Sequence, residues 1–215
     1  MSTRFSGKVV LVTGSSNGIG RATAILFAKE GAKVTITGRN AQRLEETKQE
    51  ILKAGIPEDH VLAIVTDLAT EEGQDKLINE TIKKFGKLDI LYPALPYYAM
   101  SKSALDQYTR SAAIDLIQYG VRVNSVSPGA VATGFRQAMG MPAETYEKYT
   151  QFLQSHKECI PYGSIGQPID IAHIIAFLGD RKLSSYIIGQ TIVADGGSTL
   201  VMGMQAHNMM DILKS

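Results

Sequence analysis

Val9-Val10-Leu11-Val12 is an unbroken apolar run near the start of the chain. Such a run, with no polar alternation, predicts a strand covered on both faces, as in a parallel sheet. Thr13-Gly14-Ser15-Ser16-Asn17-Gly18-Ile19-Gly20 follows. From Gly18 the spacing turns helical, with Ile19, Ala22, Leu26 and Phe27 on one stripe. The alternation then repeats. Residues 33–37 predict a second strand. Asn40 is placed to cap a charged helix reaching about Ala54, with Leu44, Ile51 and Leu52 inward and Gly55 and Pro57 ending it. Residues 61–67 predict a third strand ending in the Asp67 carboxylate. Thr70 caps the next helix, with Glu71 and Glu72 in its first turn and Leu77, Ile78, Ile82 and Phe85 inward. Residues 88–91 predict a fourth strand.

There the rhythm breaks. Tyr92-Pro93-Ala94-Leu95-Pro96 reads as a short loop, and Tyr97 or Tyr98 opens a helix at once. That helix runs through Lys102, Leu105 and Ala112 to about Tyr119, where Gly120 stops it. Residues 121–126 predict a strand followed by Ser127-Pro128-Gly129. Residues 130–161 are rich in Gly, Met and aromatics, with a helix around 143–156. This stretch follows the carboxyl end of a strand, where open parallel sheets bind ligands, so it reads as a substrate-covering segment. A helix over 170–178 and a strand over 191–194 come next. The tail from Leu200 carries Met202, Met204, Met209 and Met210. The strand–helix order predicts an α/β fold: a doubly wound parallel sheet in three layers, as one domain over 1–215.

Composition narrows the function without choosing it. The 215 residues carry a net charge of +1, which points to neither nucleic acid nor an anionic membrane. No run is long and apolar enough to span a bilayer. The single Cys159 cannot form an internal disulfide, which suits a reducing, cytoplasmic setting. His60, His156, His173 and His207 are dispersed without metal-ligand spacing, so no metal site is expected.

Two constellations carry chemistry. A strand feeding a glycine turn into a helix N-terminus is an anion site, because free N–H groups and the helix dipole both favour phosphate. Here three residues separate Gly14 from Gly18, and one separates Gly18 from Gly20. The second is Tyr98-Ala99-Met100-Ser101-Lys102. It sets a phenol and an ammonium at i and i+4 on one helix face. The ammonium stabilises phenolate, and a phenol tuned that way can exchange a proton while hydride moves at a carbonyl carbon.

Together, Thr-Gly-x-x-x-Gly-Ile-Gly and Tyr-x-x-x-Lys resemble the classical short-chain dehydrogenase/reductase family. The resemblance implies a Rossmann fold and nicotinamide chemistry on a small carbonyl or alcohol. It implies Tyr98 as acid/base and Lys102 as its tuner and a ribose ligand. Gly14, Ser16, Asn17, Gly18, Ile19 and Gly20 match the dinucleotide turn. Asp67-Leu68 resembles the adenine-side aspartate, and Pro128, Gly129, Val131 and Thr133 the nicotinamide-side loop. Residues 184–189 and Asp195-Gly196-Gly197 resemble the closing strand region. After the second strand stand Gly38 and Arg39, where an acid would favour NAD(H). Arg39 can pair a 2′-phosphate through two N–H bonds, so NADP(H) is expected over NAD(H).

The chain departs from that family in one place. Leu91 runs straight into Tyr92-Pro93, where an Asn-Asn-Ala-Gly segment, a long helix and a strand bearing the catalytic serine belong. A strand–helix repeat with its loops is roughly thirty residues or more, so this is no small loop change. The expectation is therefore a sheet lacking one strand–helix repeat after Leu91. An alternative is a nucleotide-binding module or shortened isoform impaired in catalysis. The family pairs subunits through the absent helix and the Tyr98 helix, which weakens the expectation of a homo-oligomer.

Overall fold

A computed structural model describes residues 4–92, 99–134 and 141–201, with backbone alone for 99–103. Tyr98 and the methionine tail lie outside the described residues. The architecture is α/β and Rossmann-like, with parallel strands flanked by helices. Its strands are β1 (Val9–Val12), β2 (Lys33–Gly38), β3 (Val61–Val65), β4 (Ile90–Tyr92), β5 (Ser125–Pro128) and β6 (Thr191–Ala194). Its helices are α1 (Gly18–Lys29), α2 (Ala41–Lys53), α3 (Glu71–Phe85), α4 (Ala99–Ile117), α5 (Ala143–Ser155), α6 (Pro168–Gly179) and the single turn α7 (Arg181–Ser184). The chain divides into two compact units, one of 1–105 with 172–187, the other of 106–171 with 188–215.

The first unit holds a four-stranded parallel sheet in the order β3-β2-β1-β4. Every residue of β1 is buried, as its unbroken apolar run requires. One face packs on α1 and the end of α6, where Phe27 and Ile90 meet beside Gly179. Leu11 on the other face clusters with Ile64 and Leu77 of α3. Two inward stripes differ from the expectation. In α1, Thr23, Ala24, Phe27 and Ala28 are buried, while Ile19, Ala22 and Leu26 are half-buried. Small side chains let that helix lie close to the sheet, so its closest-packed line falls between the larger apolar residues. In α3, Thr81 is buried and Ile82 exposed. The Thr81 hydroxyl donates to the carbonyl of Leu77 at 2.7 Å and bonds the Thr35 hydroxyl at 3.1 Å, so burial leaves it satisfied.

Strand boundaries also move. β3 stops at Val65 rather than Asp67, and as an edge strand it alternates, with Ala63 and Val65 exposed. β4 runs Ile90–Tyr92 rather than over 88–91, so Tyr92 belongs to the sheet and not to the loop.

The second unit contains β5 and β6 as a separate two-stranded parallel sheet, with a small core of Tyr149, Leu153, Cys159 and Ile160. β5 begins at Ser125, four residues later than expected. Residues 121–124 precede the ladder, where Asn124 accepts from the Gln190 N–H and the Val123 carbonyl from that of Gly189. The described strands thus form one sheet of four and one of two, all parallel, as an α/β fold short of one strand–helix repeat is expected to show. Among the described residues β5 pairs with β6 alone, and six strands stand where the family resemblance implies one more. A strand–helix repeat missing after β4 removes the strand that would pair with both β4 and β5.

Candidate functional site

The glycine turn is held by what lies beneath it. Ser15 is fully buried; its N–H and hydroxyl both approach the Thr37 carbonyl, and its hydroxyl accepts the Thr37 N–H at 2.8 Å. The Thr47 hydroxyl of α2 donates to the Ser15 carbonyl at 2.9 Å. These bonds fasten the turn to the carboxyl end of β2. Sequence reading passed over all three residues, whose only signal is a small polar side chain at an otherwise apolar position.

Above that base the turn opens. Gly14 and Gly18 have φ of 63° and 56°, in the left-handed region. A Cβ on Gly20 would stand 2.8 Å from the Gly14 carbonyl carbon, so only glycine lets α1 begin this close to β1. The Asn17 side chain caps the Gly18 N–H at 2.7 Å, and the Arg21 N–H bonds the Asn17 carbonyl. That leaves the N–H groups of Ile19 and Gly20 without a partner among the described residues. Two amides without a partner among the described residues, at the positive end of a helix, fit a pyrophosphate.

Strand order sets the remaining groups around it. β2 and β3 lie on one side of β1, and the pairing of Gly38 with Val65 brings Arg39 and Asp67 to the same sheet edge as the turn. Arg39 is exposed and makes no ion pair among the described residues. Gly38 lies against Ser16: a Cβ there would be 2.9 Å from the Ser16 hydroxyl oxygen. Asp67 turns one carboxylate oxygen onto the Ala69 N–H, and Gly73 lets α3 start against the Asp67 carbonyl carbon. The first unit therefore gathers Gly14, Ser16, Asn17, Gly18, Ile19, Gly20, Arg39 and Asp67. Lys102 lies in the first turns of α4, described by its backbone alone, and Tyr98 lies outside the described residues.

Pro128, Gly129, Val131 and Thr133 are in the second unit. Pro128 ends β5, and the Gly129 N–H bonds the Ala194 carbonyl at 3.0 Å. A Gly129 Cβ would be 2.7 Å from that of Asp195, so this turn also needs its glycine. Val131 bridges to Gly166. Asp195 holds its own turn by accepting from the Gly197 and Thr199 N–H groups at 2.9 and 2.7 Å. Burial works to raise its pKa, and these bonds outweigh it, leaving the carboxyl below its usual range.

Comparison with known proteins agrees with this arrangement. A family model described as short chain dehydrogenase matches residues 8–94, and one described as enoyl-(acyl carrier protein) reductase matches residues 92–199. Glucose 1-dehydrogenase of Gluconobacter oxydans is 30% identical, over 92% of this chain and 94% of that protein. The alignment runs over 259 residues, longer than the 215 of this chain, so the relative carries residues this chain lacks. A short-chain dehydrogenase/reductase of unknown function from Caenorhabditis elegans, crystallised with cofactor, is 48% identical with a TM-score of 0.90. It covers 95% of this chain and 100% of its own. Glucose dehydrogenase of Caenorhabditis elegans in the apo form is 46% identical, with a TM-score of 0.79, covering 93% and 100%. The two family models meet at residues 92–94, the place where the expected strand–helix repeat is missing.

Proposed function

The chain belongs to the short-chain dehydrogenase/reductase family, and on that premise we propose that it interconverts a small carbonyl compound and its alcohol using NADP(H). The observation that carries the reading is the pair of amides at Ile19 and Gly20 that have no partner among the described residues, in a turn that tolerates no side chain at Gly20. When bound, NADP(H) supplies or accepts the hydride. Tyr98 donates the proton to the carbonyl oxygen in reduction and takes it back in oxidation. Lys102, four residues on in the sequence, would stabilise the phenolate by its charge and hydrogen-bond ribose. Asp67 serves the adenine side; Pro128, Gly129, Val131 and Thr133 serve the nicotinamide side.

NADP(H) is preferred to NAD(H) because a guanidinium with no ion pair among the described residues, and no carboxylate, follows β2 at Arg39. A related protein from Arabidopsis thaliana, 26% identical, is an NADPH-dependent aldehyde reductase, which accords with that preference. The test is NADPH oxidation against a panel of aldehydes, ketones and sugars, with Tyr98→Phe beside the parent. Turnover that Tyr98→Phe abolishes is the expected result; equal, nonzero rates would remove Tyr98 from the mechanism.

A second reading has its own observation. Among the described residues β5 pairs with β6 alone, and no strand comes between β4 and β5 in the chain. Losing a donor to the reacting oxygen typically costs on the order of a hundredfold or more in rate. A nucleotide-binding module without turnover predicts saturable NADPH binding and no oxidation of NADPH by any carbonyl in the panel.

A further inference from the structure

Tyr92 has no role in the reaction as proposed, yet it stands at a distinctive place. It is the last residue of β4, paired in register with Val12, and its carbonyl accepts the Thr13 N–H at 2.9 Å. It therefore adjoins the entrance of the glycine turn. β1 leads to β2 and β3 on one side and has β4 on the other, so strand order reverses between β1 and β4. Ligands of open parallel sheets sit outside the carboxyl ends of the strands at such a reversal. Arg39 and Asp67 occupy the β2–β3 side, and Tyr92 the opposite side. A dinucleotide with its pyrophosphate on the turn and its adenosine toward Arg39 extends its other half over β4.

The phenol is prepared for a ligand. Alternation along β4 puts Tyr92 on the same sheet face as Ile90, which packs beside Phe27 and Gly179. Tyr92 is half-buried, and burial pushes its pKa up, which keeps it a neutral donor. Among the described residues no hydrogen bond to the Tyr92 hydroxyl is found, and it is not one of the fully buried polar atoms left without a partner, so the half-buried ring keeps its hydroxyl open to solvent, where a ligand can reach it. We propose that the Tyr92 hydroxyl donates a hydrogen bond to the nicotinamide-riboside half of the bound dinucleotide, at a ribose or carboxamide oxygen. This rests on the dinucleotide reading above and adds to it a ligand that the family motifs do not supply.

The experiment titrates the parent, Tyr92→Phe and Arg39→Ala with NADPH and with adenosine 2′,5′-bisphosphate, which lacks the nicotinamide half. Phe keeps the ring and its packing, and an unchanged melting temperature confirms that the fold is kept. Loss of one hydrogen bond is expected to weaken NADPH binding about fivefold to tenfold in Tyr92→Phe, leaving adenosine bisphosphate binding unchanged. Arg39→Ala is expected to weaken both. Tyr92→Phe binding NADPH as tightly as the parent overturns the proposal. So does equal weakening toward both probes, which would make Tyr92 a support of the turn and not a ligand. A parent that binds neither probe overturns the dinucleotide reading itself, and the Tyr92 role with it.

Discussion

The two units use the same kind of strand in opposite circumstances. β1 is hydrogen-bonded on both sides and buried throughout; β2, also paired on both sides, is buried at its four middle residues. Among the described residues β5 and β6 pair with each other alone, and their residues are half-buried except Val193, which is 53% exposed. Parallel strands draw their stability from neighbours on both edges and cover on both faces, and a lone pair of strands is marginal. The missing repeat thus costs the second unit a larger share of its sheet than the first, which keeps four strands. The dinucleotide turn is built wholly in the first unit, so nucleotide binding is the function best insulated from the loss.

The largest expected effect compares the two sheets directly. Leu11 is fully buried between β2 and β4, and Leu11→Ala should lower unfolding stability by about 2–5 kcal/mol. Ile192 in β6 is half-buried, and Ile192→Ala should cost about half that or less. Denaturant unfolding of both variants checks it, and equal losses would break the contrast. Next comes the turn. Gly20→Ala places a methyl against the Gly14 carbonyl, so the turn that carries the Ile19 and Gly20 amides must shift. NADPH binding by calorimetry should weaken by about a hundredfold, close to 3 kcal/mol. Unchanged binding would show that the nucleotide does not use this turn.

Smaller effects distinguish the helix starts. Thr70 caps α3 through its hydroxyl, which accepts the Gly73 N–H at 3.1 Å, and Thr70→Ala should cost about 1 kcal/mol. α5 in the second unit starts after Pro142 with no side-chain cap. Pro142→Ala should therefore shift stability by less than about 0.5 kcal/mol in thermal unfolding.

The same contrast explains what was legible in the sequence. Asn40 and Thr70 cap their helices as expected, because a cap is decided within four residues. β1 and β6 begin and end where the sequence reading put them, at Val9–Val12 and Thr191–Ala194. The glycine turn was legible because its glycines answer to backbone geometry. Buried threonines were not: Thr23, Thr37 and Thr81 look polar in sequence, and only the tertiary fold decides that they face inward. The late start of β5 was hidden for a related reason. Residues 121–126 carry the apolar alternation of a strand, but pairing with β6 fixes the register, and it begins at Ser125 with Thr191. Tyr92 was hidden by the proline after it, which marked a loop, although β1 holds it in the sheet.

The smallest effect lies in two carboxylates, one in each unit, that reach the same state by different means. Burial works to raise the pKa of Asp89, but the hydrogen bond from Lys87 at 2.9 Å, the Val9 N–H at 2.8 Å and the charge of Lys8 bring it below the usual range. Asp195 is lowered chiefly by the Thr199 and Gly197 N–H groups, against its own burial. A carboxyl with a lowered folded pKa binds its proton more weakly when folded. Its stabilising contribution is therefore complete above the unfolded value of about 4 and fades as pH falls through the folded one. Both should steepen the acid fall in melting temperature, and only the Asp89 share should shrink with salt, since lysine pairs are screened. Asp89→Asn keeps an acceptor for Val9 but loses both lysines, at under about 1 kcal/mol near neutral pH. The variant should melt like the parent at the acid end, and the gap between them at neutral pH should close in molar salt. A gap that salt leaves untouched would mean that the Val9 N–H, and not the lysines, gives Asp89 its value to β1.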